Sequence, residues 1–327
     1  MLRIGRLTLP SRLACAPLAE VTHSAFRRLV AELGGCGLQF TEMLSGRALL
    51  AEDLRTSPYS KRRPVERVLF YQLMLRPGDP IERIVERLAE IDPDGIDVNL
   101  ACDAPGIRAL GAGSALFDDA AALGVVLREV RRAWGGPFTV KIRLGHGAPD
   151  CEAHLAERLR VIEDAGVDGI TLHARFFEDK RRRPARHDRL AWATTRTQLP
   201  IIANGDILGA RTVDARPAAF DAVAGVMIGR LAIAQPWVFA SWDRPVEVDP
   251  AAVWLRLHDY VAEDFAPEVA VKRMRLFTKY FAKNYVFGHG FHAAVCTAPT
   301  MEAARTVATA FFDTQPARHA EASVLGL

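Results

Sequence analysis

Short apolar runs rich in β-branched residues alternate along the chain with longer amphipathic segments. Eight such runs cover residues 12–16, 37–41, 68–73, 95–100, 138–142, 169–173, 200–203 and 224–228. Segments with helical periodicity lie between them, for example residues 80–91, 120–134 and 151–165. Continuous apolar strands separated by amphipathic helices are typical of parallel βαβ units whose sheet is covered on both faces.

The repeat predicts an α/β fold of the (β/α)₈ TIM-barrel type. Eight units lie within residues 1–242, and such barrels typically take about 250 residues. A doubly wound sheet is the alternative, and it usually has a Gly-rich GxGxxG turn after its first strand. Here the first strand is followed by APLAEVTHSAF, which contains no such turn. The pattern therefore favours the barrel.

The alternation stops near Trp242, where the segment DRPVEVDP indicates a linker. Beyond it, residues 251–265, 267–286 and 301–312 have helical periodicity. We therefore expect two domains: a catalytic barrel over residues 1–242 and an all-helical domain over residues 243–327.

Composition narrows the class of protein. The chain has 327 residues, of which 50% are hydrophobic and 25% charged, as in globular proteins. No apolar run approaches the roughly 20 residues that cross a bilayer, and no signal peptide is evident, so we expect a cytoplasmic protein without a membrane partner. The 5 cysteines have no paired spacing, which predicts free thiols and no metal site. A monomer is the default expectation.

Polar residues follow most of the predicted strands. In TIM barrels the catalytic groups come from the carboxyl ends of the strands and the loops after them. The residues at these positions are Pro17 after the first strand, Gln72 in the third, Asn99 and Cys102 after the fourth, Lys141 in the fifth, His173 and Arg175 after the sixth, Asn204, Gly205 and Asp206 after the seventh, and Gly229 and Arg230 after the eighth. Any one of them has a structural explanation, such as a buried ion pair. Together they predict a polar, cationic mouth.

The segments IIANGDI and GVMIGR end the seventh and eighth strands. Barrels commonly bind phosphate at this place through loop amides and a short helix N-terminus. Gly205 and Gly229 would let the backbone approach an anion, and Arg230 would add charge. Lys141 and His173 would then face the electron-rich edge of a ring, as a cation does near N1 of a flavin.

In this order and spacing the motifs resemble the tRNA-dihydrouridine synthases, FMN-containing barrels that use NADPH to reduce uridines in RNA. The resemblance runs through the opening RIGRLTLPSRLACAPLAEVTHSAFRRLVAELGG, then TEM, GIDVNLAC, LGAGSAL, VKIRLG, AGVDGITLHAR, PIIANGDI and GVMIGRLAIAQPWVF. It implies FMN contacts from Pro17, Gln72, Lys141, His173, Asn204, Gly229 and Arg230, with Gly205 and Asp206 in the same phosphate-binding turn. It also implies that Cys102 is the general acid and that Asn99 orients the base or the flavin.

Two segments depart from the family pattern. The family usually has Asn-x-Gly-Cys-Pro where this chain has NLACD at 99–103, and Gly-Arg-Thr-Arg after the histidine where this chain has ARFF at 174–177. Three alternatives therefore stay open: an FMN barrel acting on another RNA position, one acting on a small molecule, as dihydroorotate- or enoate-type oxidoreductases do, and a non-catalytic RNA-binding homologue.

Charge placement indicates an RNA partner, with tRNA favoured, although the net charge is only +3. One basic cluster, Lys180, Arg181, Arg182, Arg183 and Arg186, follows the sixth strand, and a second comprises Lys61, Arg62, Arg63 and Arg67. A third, Lys272, Arg275, Lys279 and Lys283, lies on one helix face, opposite Met274, Phe277 and Phe281. Such basic faces suit phosphate contacts. A helical domain that holds the RNA would also suit a reaction in which the base is extruded from its stack.

Overall fold

The structure is a computed structural model that describes residues 2–179, 183–319, 322, 324 and 325. Three residues of the first basic cluster, Lys180, Arg181 and Arg182, lie outside the described residues.

Eight parallel strands form the central barrel. They are β1 Leu13–Cys15, β2 Gln39–Phe40, β3 Leu69–Met74, β4 Gly95–Asn99, β5 Phe138–Arg143, β6 Gly169–His173, β7 Ile201–Asn204 and β8 Gly225–Ile228. Neighbours in sequence pair in parallel, and β8 pairs with β1. The circle closes through a parallel bridge between Ala14 and Leu38, where the Cys15 N–H donates to the Leu38 carbonyl at 2.9 Å. The prediction of a TIM barrel is confirmed, and the doubly wound alternative is wrong.

Helices connect the strands and continue beyond the last one. In the barrel region they are α1 Ser24–Leu33, α2 Gly46–Leu49, α3 Ile81–Ala89, α4 Pro105–Ala109, α5 Ser114–Asp118, α6 Ala120–Ala133, α7 Cys151–Asp164, α8 Asp188–Thr194, α9 Ala210–Asp214, α10 Pro217–Phe220 and α11 Arg230–Ala234. After a 3₁₀ turn at Pro236–Val238 come α12 Pro250–Asp264, α13 Pro267–Phe281, a 3₁₀ turn at Ala282–Asn284, α14 Gly288–Thr297 and α15 Met301–Asp313.

The barrel interior is apolar at its lower end. Phe40, Phe70, Ile202 and Met227 form a buried cluster there. A two-stranded antiparallel hairpin at the N-terminus, Arg3–Ile4 with Leu7–Thr8, covers this end, and its Leu2, Ile4 and Leu9 are buried in the same cluster. The sequence pattern did not predict the hairpin, because each of its strands has only 2 residues. It leaves the upper end as the open mouth of the barrel.

The C-terminal helices share the core of the barrel helices. Phe26 of α1 contacts Phe277 of α13, with ring centroids 6.4 Å apart. Met274 and Phe281 are also buried, as the amphipathic pattern of this segment predicted. Residues 239–249 contain no helix or strand. The domain boundary at residue 242 stays a prediction.

The second basic cluster connects the barrel region to the C-terminal helices. The ammonium group of Lys61 lies 2.6 Å from the carboxylate of Asp264, which also pairs with Arg63. Arg63 additionally contacts Glu263 at 2.8 Å. The Asp264 side chain is fully buried at the end of α12. Lys61 and Arg63 therefore hold α12 against the barrel instead of projecting freely, as an RNA contact would require.

A fully buried ion pair yields a stability prediction. Arg27 Nε lies 2.6 Å from Glu66 Oε1, and the two side chains are 1% and 0% exposed. Glu66→Ala would leave the guanidinium buried without its carboxylate, so we expect the free energy of unfolding to fall by roughly 3–5 kcal/mol. Urea denaturation of the purified protein measures this.

The control for that measurement is the surface pair of Arg87 and Glu90, whose side chains are 31% and 51% exposed. Exposed pairs contribute roughly 0–1 kcal/mol, so Glu90→Ala should change little. Equal losses in both variants would contradict a special role for the buried pair.

Candidate active site

Strand register brings the predicted residues of neighbouring strands into the upper barrel interior. Gln72 on β3 pairs with Asp97 on β4, and Asp97 pairs with Thr139 on β5. One layer higher, Asn99 pairs with Lys141. Since residues two apart on a strand face the same side, each strand contributes polar groups to the same interior space.

A chain of hydrogen bonds crosses this layer. The carboxylate of Asp97 accepts from Thr139 Oγ1 and from Gln72 Nε2, both at 2.7 Å. Gln72 Oε1 in turn accepts from Asn99 Nδ2 at 2.8 Å. Every member is buried, with Asp97 at 0% exposure. The chain satisfies polar groups that would otherwise be costly in the barrel interior.

The same chain ends on the loop that carries Cys102. Asn99 Oδ1 accepts from the backbone N–H groups of Ala101 at 3.2 Å and Cys102 at 2.9 Å. The Cys102 carbonyl accepts from the Ser114 N–H at 2.8 Å. Ala101 does not have a positive φ, so alanine fits here without the freedom of the family's glycine. Asp103, in place of the family's proline, lies 3.9 Å from Arg143.

Lys141 is the cation inside the mouth. Burial and, to a smaller extent, the charge of nearby Arg143 lower its pKa to about 8, while Asp97 and Cys102 act in the opposite direction. Burial also raises the pKa of Asp97 to about 6, against its hydrogen bonds and Lys141. At neutral pH the pair is therefore mainly an ammonium and a carboxylate.

His173 is neutral instead of cationic. Burial, followed by the charges of Lys141, Arg143, Arg175 and Arg230, places its pKa well below the ordinary value. An N–H of Arg175 donates to His173 Nε2, with the nitrogen atoms 3.0 Å apart, so the ring proton resides on Nδ1. His173 can thus donate one hydrogen bond to a ligand without adding charge.

Asp206 organises the arginines at the far side of the mouth. Its carboxylate accepts from Arg175, from Arg230 at 2.7 Å and from the Ala185 N–H at 2.9 Å. Burial opposes its ionisation, but the bond to Arg175 and the other two partners hold its pKa below the ordinary value. Asp206 serves here as a partner of cations, so it can act on a bound anion only through them.

A cavity of about 430 Å³ opens between these groups. Its lining includes Arg175 and eight of the nine predicted cofactor-binding residues: Pro17, Lys141, His173, Asn204, Gly205, Asp206, Gly229 and Arg230. Leu276, Lys279 and Tyr280 of α13 complete the wall, so a C-terminal helix closes one side. Gln72 and Cys102 are not part of this lining. Lys141 is part of it, and it is the register partner of Asn99, which belongs to their hydrogen-bond chain.

The two glycines of the predicted phosphate turn have different surroundings. A Cβ on Gly229 would meet only Ala16, at 3.9 Å, so the backbone there is open to a ligand. At Gly205 the φ is +112°, and a Cβ would lie 2.9 Å from the His173 ring. Gly205 is therefore required by its backbone conformation and by His173, whereas Gly229 is the position where an anion can approach.

A larger cavity of about 1210 Å³ adjoins the first across Arg175, Asp206 and Arg230. Its wall also contains Arg183, Arg211 and Arg216. This cationic wall continues from the predicted phosphate turn toward the protein surface.

The predicted RNA-contact residues differ in exposure. Lys272, Lys279 and Arg183 are exposed, the last of them near Asp179 at 3.6 Å. Arg275 is half-buried and donates to the Ala298 carbonyl at 2.7 Å. Arg175, at 3% exposure, lies inside the site and not on its surface. Among them, the lysines of α13 and Arg183 can reach a ligand outside the barrel.

Sequence reasoning missed Asp97 and Thr139. The signal was present, because an aspartate in the middle of the apolar run GIDVNL is unusual unless the carboxylate has buried partners.

Two kinds of feature are absent from the described residues. They contain no group of three or more metal-ligating side chains placed to hold an ion, and no helix long and apolar enough to span a membrane.

Asp206→Asn tests how much the Asp206 carboxylate stabilises the fold through Arg175 and Arg230. At pH 7 the variant would leave Arg175 and Arg230 adjacent without a carboxylate, and we expect a loss of roughly 1.5–3 kcal/mol in unfolding free energy. Because the Asp206 pKa is depressed, its stabilisation is full above the ordinary value of 3.8 and is lost as the pH falls through the lower folded-state value. The Tm difference from wild type should therefore stay constant from pH 8 to 5 and narrow below about pH 4.

The exposed Asp221 provides a matched control, since Asp221→Asn should leave Tm nearly unchanged throughout. A difference between wild type and Asp206→Asn that varied from pH 5 to 8 would assign the effect to another group.

Sequence comparison places this geometry in a family. The family described as dihydrouridine synthase (Dus) matches residues 14–279. The chain is 31% identical to tRNA-dihydrouridine synthase B of Pseudomonas aeruginosa over 284 residues, which cover 81% of this chain and 80% of that protein. It is 30% identical to tRNA-dihydrouridine synthase B of Escherichia coli strain K12 over 327 residues, covering 92% and 97%.

Solved structures show the same fold at low identity. The old yellow enzyme from Trypanosoma cruzi aligns with a TM-score of 0.55 and 13% identity, over 81% of this chain and 97% of that one. The homologue from Zymomonas mobilis aligns with a TM-score of 0.53 and 12% identity, over 77% and 94%. The barrel fold is thus shared with these enzymes, and the family match extends across its strands and into α13. The chain belongs to the dihydrouridine synthase family of flavin-dependent oxidoreductases.

Proposed function

We propose that this protein is a tRNA-dihydrouridine synthase that reduces the C5–C6 bond of uridine with FMN as cofactor and NADPH as reductant. The observation that carries the proposal is the juxtaposition at the barrel mouth. A cavity ends at the open backbone of Gly229 and is bordered by Lys141, and the hydrogen-bond chain beside it leads to Cys102.

The residues fit FMN. The cavity volume of about 430 Å³ lies in the range of sites for small cofactors. Gly229 and Arg230 would hold the phosphate, while Lys141 and the Nδ1–H of His173 would face the ring system. Pro17, Asn204, Gly205 and Asp206 line the same space, whereas Gln72 lies outside this lining and bonds to Asp97 and Asn99.

In the proposed reaction the cofactor would provide the hydride and the protein the proton. FMN, held by the residues named above, would supply a hydride for C6 of the uracil ring. Cys102 donates its thiol proton to C5, and the resulting thiolate recovers a proton from solvent, so one uridine, one NADPH and one proton become dihydrouridine and NADP⁺. Lys141 lines the cavity, where its ammonium group would place positive charge beside a bound ring system and so favour its reduced form. Asn99 fixes the loop from which Cys102 acts.

The RNA assignment rests on the relatives and on charge. Both relatives are named as tRNA-modifying enzymes, and the arginine-lined cavity and the exposed lysines of α13 form cationic surface beside the mouth. With a tRNA substrate and NADPH as reductant, the reaction would take place in the cytoplasm. The small-molecule alternative is supported only by the similarity of the barrel to old yellow enzymes, and that similarity concerns the fold. It does not explain the cationic surface beside the mouth.

Cys102→Ala tests the general acid. We expect the variant to keep its flavin absorption, because Cys102 is not part of the cavity lining, and to lose dihydrouridine formation by roughly 10²–10⁴-fold. Mass spectrometry of tRNA incubated with protein and NADPH measures this, starting from cells that lack dihydrouridine.

Cys296→Ala is the thiol control, since Cys296 lies on α14 beside His292 and away from the strand ends. Wild-type activity in Cys102→Ala would refute the acid assignment. Unchanged uridine with the wild-type protein would refute the synthase function.

The lysines of α13 yield a binding prediction. Replacing Lys272 and Lys279 together with alanine should weaken tRNA binding and reduce the slope of log Kd against log salt by roughly one unit per lysine. The Lys272→Arg/Lys279→Arg variant retains both charges and should bind as wild type does. An unchanged salt slope in the alanine variant would remove α13 from the RNA contact surface.

A further inference from the structure

The upper barrel interior contains a carboxylate that the proposed reaction does not use. Asp97 lies in the middle of β4, and its two oxygens accept from Thr139 and Gln72. We propose that Asp97 is a positioning residue: it fixes the direction of the two amide groups between it and the Cys102 loop, so that Asn99 presents an oxygen to that loop. The inference rests on the proposed function only in the role given to Cys102.

The direction follows from donors and acceptors. A side-chain amide has a donor end and an acceptor end, whereas a carboxylate only accepts. Gln72 must therefore turn its NH₂ toward Asp97, which turns its oxygen toward Asn99. Asn99 must then donate to Gln72, and its own oxygen points to the backbone N–H groups of the loop. One carboxylate thus sets both amides.

The opposite orientation of the Gln72 and Asn99 amides is unfavourable at the Cys102 loop. If Gln72 presented its oxygen to Asp97, two acceptors would face each other. Asn99 would turn as well, and its NH₂ would meet the N–H groups of Ala101 and Cys102, which are now held at 3.2 and 2.9 Å. Donors would then face donors in the buried interior, where unpaired groups are costly. The loop would lose the anchor that places the Cys102 thiol.

Asp97 holds this role at a cost in stability. Its folded-state pKa of about 6 is above the ordinary 3.8, chiefly because of burial. A group with a raised pKa favours the folded state most below 3.8, and this contribution is lost as the pH rises through about 6. Lys141 on β5 is the charged group that faces it. At pH 8, replacing Asp97 with a neutral isostere should therefore not destabilise the protein. Replacing a carboxylate that stabilises the fold through an ion pair would destabilise it.

Three variants of the flavin-loaded protein test the proposal: Asp97→Asn, Asn99→Asp and the double variant. In Asp97→Asn the amide at position 97 can donate to Gln72 as well as accept from it, so only the loop N–H groups still hold the direction of the two amides. We expect an unchanged or raised Tm at pH 8, a faster alkylation of Cys102 by iodoacetamide and a roughly 10- to 100-fold loss of dihydrouridine formation. Asn99→Asp places a second carboxylate opposite Gln72, which cannot donate to both, so Tm should fall by several degrees.

The double variant moves the carboxylate from position 97 to position 99 in the series of hydrogen bonds. The carboxylate introduced at position 99 would then accept from Gln72 and from the loop N–H groups. The amide introduced at position 97 would donate to Gln72 and accept from Thr139. We expect the double variant to recover Tm relative to Asn99→Asp and to return Cys102 alkylation to the wild-type rate. If Asn99→Asp does not fold, recovery of folding in the double variant is the equivalent result.

Additive Tm changes in the double variant, or a loss for Asp97→Asn as large as that for Asn99→Asp, would overturn the positioning role. Tm and alkylation need no turnover. A protein that failed to reduce uridine would thus refute the proposed function while the test of Asp97 remained decisive.

Discussion

The structure depends on one constraint: polar groups inside the barrel must satisfy one another, because the strands leave little room for water. The interior changes from apolar to polar within two residues of a strand, from Phe70 to Gln72 on β3 and from Ile202 to Asn204 on β7. Below that level the side chains fill space as in any small barrel. Above it Gln72, Asn99 and Asn204 are oriented by hydrogen bonds to neighbouring strands, and the site lies where the change occurs.

The C-terminal helices belong to the same construction. Helix α13 buries Met274 in the core and contributes Tyr280 to the cavity wall. From the same helix Arg273 donates to Glu20 at 2.9 Å, in the loop after β1. Asp264 ties α12 to the barrel through two cations. Removing residues 243–327 would therefore open the cavity as well as remove basic surface, so such a truncation cannot separate binding from chemistry.

The sequence was most informative where periodicity and position combine. All eight strand runs and the polar strand ends follow from burial patterns, which are local. Three features depended on tertiary contacts. The segment GHGFHAAVCT forms α14 although its glycines disfavour a helix, because Phe291 stacks on Phe311 at 4.3 Å. Lys61 and Arg63 pair with a carboxylate some 200 residues away along the chain. The orientation of the Gln72 amide is set by Asp97, on a neighbouring strand.

If FMN binds as proposed, the position of Lys279 would have an optical consequence. Its helix forms one wall of the cavity, and Lys272 projects from the same helix two turns away. A polyanion that docks on these lysines changes the electric field and the hydration beside the ring of a bound flavin. The cofactor's colour and fluorescence would thus report RNA docking directly, and association could be followed in real time with unlabelled RNA and unmodified protein.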